Sequence, residues 1–300
     1  MRGNGATVRP MSAAAPLLSR VRGLSLSDGA IHRVAVGSAV MLVLIVATGA
    51  TVRLTGSGLG CEHWPGCQPH HFEPRSFHSD IEFGNRVIAF FTILATLVAW
   101  IVARGHRRLA FVTFAGTLLQ APLGAITIHY GLNPWLVLSH FLLSAVVLTL
   151  GVILAQETRP REQTRLPAWV PRLGILVGLS AAVLLFSGTL ATAAGPHPGS
   201  TVVRRLWSFE PAVYWHVRAT AVFGISFLVL LVWLVRNHAP QLRAGIVVLA
   251  LLLVQMAIGE TQYRTHLPWW LVLVHVTMAA TIWAAVTVFV YSLWRPRRIT

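Results

Sequence analysis

The sequence predicts an all-α integral membrane protein whose eight transmembrane helices form two pseudo-symmetric four-helix bundles. Three observations predict it. Hydrophobic residues make up 55% of the 300 and charged residues only 11%, against about 25% charged in a soluble chain. Eight apolar runs reach the roughly 20 residues that a spanning helix needs. One run is also repeated: Asn133–His140 aligns without a gap on Pro268–His275, 135 positions later. At that offset Gln120 matches Gln255, Gly124 matches Gly259, Leu132 matches Leu267 and Ala145 matches Ala280.

The elements follow in order. Residues 1–30 carry arginines and no compact apolar core ahead of a small-residue cleavage site, so they read as a flexible tail and not as a cleaved leader. The first apolar run, 33–53, then acts as an uncleaved anchor. A polar loop within 54–80 holds Cys61 and Cys67. The next runs are 81–103, 109–130 and 134–156, the last opened by Pro134, which suits a first helical position. The polar linker 157–168 ends this half, 31–156. Runs 169–193, 211–235, 243–263 and 268–294 make the second half, 169–294, and 295–300 is a short tail. Each half crosses four times, so both have one orientation: a parallel repeat with a pseudo-twofold axis along the membrane normal.

Charge sets the sidedness. All 24 basic residues are arginine and the formal charge is +15, which superficially suggests nucleic acid. Yet 17 of them lie in the stretch up to 33, in 104–108, 159–172, 236–243 and 295–298, whereas the opposite loops hold five. That asymmetry is topology, with both termini cytoplasmic and no nucleic-acid partner. Cys61 and Cys67 then face outward, where a disulfide is chemically allowed; a structural staple and a redox role both stay open. The Gly-rich loop 55–60 follows a membrane helix and lacks the lysine of a phosphate cradle.

Chemistry concentrates in one layer. His140 lies six residues past Pro134 and His275 seven past Pro268, so each imidazole sits roughly 10 Å below the outer helix end. His216 and the cluster Glu82-Phe83-Gly84-Asn85-Arg86 fall at a similar depth. His32, His106 and His238 beside inner arginines, and His63, His70, His71, His78, His197 and His266 in outer loops, read as ordinary boundary histidines. His129 is ambiguous, because its counterpart is Arg264. Two imidazoles from facing membrane helices suit heme iron, whereas zinc usually takes three or four protein ligands. Arg86 and Arg218 fit heme propionates or lipid headgroups equally well. Glu82 shares a helix face with Asn85 and is a functional candidate, as ionisable groups at membrane depth are. Glu260 has a plain ion-pair partner in Arg264.

The loop Thr55-Gly56-Ser57-Gly58-Leu59-Gly60-Cys61-x-x-Trp64-Pro65-x-Cys67, the start of the second helix at Glu82–Arg86, and the two His-bearing repeats resemble the heme A synthase family, in order across 31–294. The resemblance implies an oxidoreductase of a prokaryotic-type plasma membrane. It would oxidise a methyl of heme O to a formyl, by successive hydroxylations, giving heme A for cytochrome oxidase assembly, with bound heme B for electron transfer. It implies His216 and His275 as the axial ligands of heme B, His140 facing the iron of the substrate heme, Glu82 as the catalytic glutamate, and Cys61–Cys67 as a disulfide. The implied partners are heme O, the heme O synthase (protoheme farnesyltransferase), membrane lipid and a quinol donor; a homo-oligomer stays open. Two departures stand out. Asn85 replaces a second substrate-side histidine, and 194–210 lacks a second cysteine pair. An amide is a poor iron ligand, so a substrate heme held by His140 keeps one coordination position for something else. The competing readings are a non-catalytic diheme b-type cytochrome passing electrons from quinol, and a heme carrier.

Overall fold

The computed structural model describes residues 26–61, 63–64, 66–68, 73–159, 166–200 and 205–294. Most of the predicted N-terminal tail (1–25), His70, His71, linker residues 160–165, Arg204 and the tail 295–300 lie outside the described residues.

Among the described residues every long element is a helix: α1 (Asp28–Leu54), α2 (Phe77–Val102), α3 (Arg107–His129), α4 (Pro134–Glu157), α5 (Trp169–Ala194), α6 (Phe209–Arg236), α7 (Leu242–Arg264) and α8 (Trp269–Trp294). All eight are long and apolar enough to cross a membrane. α1 and α2 begin before the apolar starts expected at 33 and 81, because polar caps extend them. Ser27 Oγ accepts from the Ala30 amide, and Ser76 and Ser79 satisfy each other's backbone in a capping box. α4 starts on Asn133 as cap with Pro134 in the first turn. The turns before α4 and α8 repeat in geometry: Gly131 and Leu132 have φ of 61° and 58°, His266 and Leu267 of 61° and 59°. Leucine rarely accepts that left-handed region, so the shared conformation marks one turn built twice.

In each half the helices close a ring. α1 packs on α2 and α4, with α3 on α2 and α4; α5 packs on α6 and α8, with α7 on α6 and α8. The halves meet through α1 against α8, α5 against α4, and α4 against α8. Exchanging α1 with α5 and α4 with α8 turns the first of these contacts into the second and leaves the third unchanged. A twofold relation between the halves requires that pattern. Trp283 of α8 seals the α4–α8 contact, its Nε1 donating to Ala145 O at 3.0 Å and Thr149 Oγ1 at 2.9 Å.

Packing is uneven along the bundle. At the linker end the second half has a solid core of Phe223, Phe227, Leu230, Leu234 and Phe289, each 1% exposed or less. The first half packs Ala35, Ala99, Ala103 and Ala110 there, tightly enough to exclude solvent. Toward the cysteine-loop end both halves are hollow. On the outside, only 11–33% of each helix's apolar window is buried, and Val40, Phe90, Leu179 and Ile225 stand 59–65% exposed. Apolar cover of that extent is what a lipid solvent calls for.

Candidate functional site

The hollow ends join in one cavity of about 1810 Å³, larger than the roughly 300–1,000 Å³ of ordinary ligand pockets. Asn85 of α2, His140 of α4, His216 of α6 and His275 of α8 all line it, each half-buried. The rest of the wall is mainly aliphatic and aromatic, including Phe83, Val137, Phe141, Leu184 and Val276.

His216 is the best-defined ring. Ser187 Oγ donates to Leu184 O at 2.8 Å, so toward His216 Nδ1, 3.1 Å away, it acts as acceptor. The imidazole therefore carries its proton on Nδ1 and presents the Nε2 lone pair to the cavity, the tautomer a metal ligand needs. The Nδ1 atoms of His140 and His275 are buried without a hydrogen-bond partner, which again leaves Nε2 as the approachable nitrogen.

Glycines make room for the rings. A Cβ on Gly188 would stand 2.9 Å from His216 Cε1, on Gly259 3.1 Å from His275 Cε1, and on Gly124 3.6 Å from His140 Cε1. The neighbouring helix thus lies against each ring and fixes its plane. Gln120 and Gln255, partners in the repeat, both donate to the carbonyl of the histidine on the next helix, at 3.4 Å and 3.0 Å.

Asn85 occupies the place of His216 in the first half. Thr48 Oγ1 lies 2.7 Å from Asn85 Oδ1, and a Cβ on Gly49 would stand 3.9 Å from that oxygen. Thr48-Gly49 on α1 thus relates to Asn85 as Ser187-Gly188 on α5 relates to His216. Neither pair figures in the sequence analysis, although a hydroxyl-glycine dipeptide inside an apolar run was a readable signal.

Glu82 lines the cavity at 3% exposure. Its Oε2 accepts from the Cys61 amide at 2.9 Å and its Oε1 from Arg86 Nη2 at 2.6 Å. Arg86 Nη1 also donates to His63 O and Gly66 O, at 2.7 Å and 2.6 Å. The Glu82–Arg86 pair therefore clamps the loop that Cys61 and Cys67 close by a disulfide. That commits the terminal nitrogens of Arg86 to protein partners. Gly60 is needed under this clamp, since a Cβ there would stand 2.5 Å from His78 O.

Arg218 lies 3.3 Å from the Tyr214 ring centroid and lines the cavity. Arg53, which the sequence analysis counted only as a loop charge, also lines it. It spans the halves, with Nε donating to His197 O at 3.1 Å and Nη2 to Thr192 O at 3.0 Å. His197 Nε2 in turn donates to Leu267 O at 2.8 Å, a packing role. Glu260 pairs with Arg264 at 2.5 Å, both well exposed.

Among the described residues no three His, Cys, Asp or Glu side chains converge, so the site offers single and paired imidazoles within apolar walls. An iron porphyrin fits that donor set: Nε2 atoms face a wide apolar cavity, and glycines leave space beside the rings.

Comparison with known proteins points the same way. A family described as cytochrome oxidase assembly protein matches residues 32–83. A heme A synthase of Shewanella oneidensis is 25% identical over 85% of this chain and 94% of its own length. One of Geobacillus thermodenitrificans is 32% identical over 46% of each chain. One of Listeria monocytogenes is 32% identical over 36% of this chain and 37% of its own. The matched region thus spans about half of the Geobacillus relative and nearly all of the Shewanella one.

Proposed function

We propose that this chain is a member of the heme A synthase family, which its likeness to heme A synthases and to a family of cytochrome oxidase assembly proteins supports, and that it converts heme O to heme A by oxidising a porphyrin methyl to a formyl group. The observation that carries this reading is the asymmetry of one shared cavity. The second half offers two imidazoles, His216 and His275, and the first offers one, His140, and an amide, Asn85. Paired imidazoles suit a permanently held heme B, while a single one suits a substrate that must enter and leave. Heme B supplies one-electron redox chemistry when bound.

The protein's own groups divide the remaining work. Ser187 holds the His216 tautomer, and Gly188 and Gly259 set the ring planes. His140 orients heme O in the first half, where Phe83, Val137 and Phe141 exclude water. Glu82 exchanges protons beside the methyl being oxidised, its charge balanced by Arg86. Arg218 and Arg53 are the cations for propionates that reach the upper wall. Both termini are cytoplasmic and the Cys61–Cys67 loop faces outward, as arginine placement supports. Heme O arrives through lipid from the farnesyltransferase that makes it, and a quinol supplies electrons.

Extraction of hemes from the purified protein, co-expressed with a heme O source, tests the reading. Formyl-bearing heme A is expected from wild type, and unchanged heme O from Glu82→Ala. Heme B alone would support a diheme cytochrome, and stoichiometric release of unaltered heme a carrier.

A further inference from the structure

The matched surroundings of His216 and Asn85 carry one step more, which rests on the synthase reading above. In the second half a hydroxyl (Ser187) and a gap (Gly188) orient an imidazole; in the first the same two features, Thr48 and Gly49, orient an amide. The roles of the hydroxyls differ. Ser187 uses its proton on Leu184 O and accepts from the ring. Thr48 Oγ1 is 2.7 Å from Asn85 Oδ1 and 3.2 Å from Ile45 O, so its proton goes to the closer amide oxygen. That fixes which end of the amide is turned away. The hydrogen bond that Asn85 makes among the described residues is through Oδ1, so Nδ2, a donor only, keeps its protons for the cavity that the side chain lines. One turn earlier Glu82 is engaged by Cys61 and Arg86, whereas the Asn85 amide still has a hydrogen bond to offer.

We propose that Thr48 and Asn85 form a positioning pair that aims an N–H donor at the porphyrin face opposite His140. The first half is then a site for a small exogenous ligand on iron, in contrast to the closed two-imidazole site of the second half. The ligand class is a water-sized or diatomic molecule able to accept a hydrogen bond. Thr48 acts through Asn85 and touches no reacting atom.

Carbon monoxide is the probe. Full-length protein co-purified with heme O without oxygen is reduced and exposed to carbon monoxide. Absorbance gives the reactive heme fraction, and infrared spectroscopy gives the C–O stretch. Wild type is expected to show a reactive fraction that His140→Ala loses. Asn85→Leu and the near-isosteric Thr48→Val should both shift the stretch upward, because the donor is removed in one and misdirected in the other. Asn85→His should abolish carbon monoxide binding and increase low-spin heme, since Thr48 and Gly49 already provide the setting of an imidazole. An unmoved stretch in both Asn85→Leu and Thr48→Val, or no reactive heme in wild type, overturns the proposal. If that wild type still yields formyl-bearing heme, the synthase reading survives and only the donor assignment fails; no formyl-bearing heme sinks the reading itself.

Discussion

Adding one methyl group at Gly188 should empty the heme B site without unfolding the protein. The Cβ of Gly188→Ala would stand 2.9 Å from His216 Cε1 and 3.3 Å from Nδ1, against the roughly 3.5–4.0 Å of a comfortable carbon contact. The ring must retreat by about half an ångström or more, and the 3.1 Å bond to Ser187 then passes the limit of useful geometry. Losing that bond costs about 1 kcal/mol, and disturbing an orienting partner of a metal-bound histidine typically costs about 10–100-fold in metal affinity. Alanine in a helix returns about 1 kcal/mol relative to glycine, so fold stability should hold. The same substitution elsewhere gives a graded series. Gly259→Ala, at 3.1 Å from His275, should lose part of its heme B, while Gly124→Ala (3.6 Å) and Gly49→Ala (3.9 Å) should keep it. Heme per polypeptide, with helix content by circular dichroism as control, reads the outcome. Full occupancy in Gly188→Ala, or equal loss in Gly124→Ala, would refute the claim that these glycines seat the imidazoles.

Other consequences follow from the same contacts. Glu82→Gln should keep heme B absorbance but lose the formyl product, as heme extraction will show. Glu82→Ala leaves Arg86 without its carboxylate and frees the Cys61 amide; breaking such a buried pair costs about 3–5 kcal/mol. The Cys61–Cys67 bond should therefore be reduced faster by a mild thiol than in wild type, measured by alkylation. Trp283→Phe removes two hydrogen bonds between the halves, about 1 kcal/mol each, and should lower the midpoint of thermal unfolding in detergent with heme B still bound. After reduction, Cys61 and Cys67 should label with an impermeant maleimide added to intact cells; labelling only after lysis would reverse the arginine-based topology.

The eight helices were legible because each apolar run is as long as a bilayer is thick, and the caps only moved their starts. The His140–His275 pairing was legible because the intervening segments preserve a single offset of 135. The likeness of Asn85 to His216 was legible as a shared depth and through the family resemblance, but not through the repeat. Its offset is 131, and that of Gly49 to Gly188 is 139, since the loops after α1 and α5 differ in length. A gapless alignment misses both, and the packing of α1 on α2 and α5 on α6 brings them into register. Arg53 was hidden for a related reason: its partners, the carbonyls of Thr192 and His197, belong to the other half. The Glu82–Arg86 pair was within reach, having the same four-residue spacing recognised at Glu260–Arg264.

The division of labour between the halves is the central claim, and heme B retention by single histidine variants tests it most directly. Purified His216→Ala and His275→Ala should lack the Soret band of bound heme B, while His140→Ala should retain it at wild-type occupancy. Loss of heme B from His140→Ala, with retention in His216→Ala, would contradict the account.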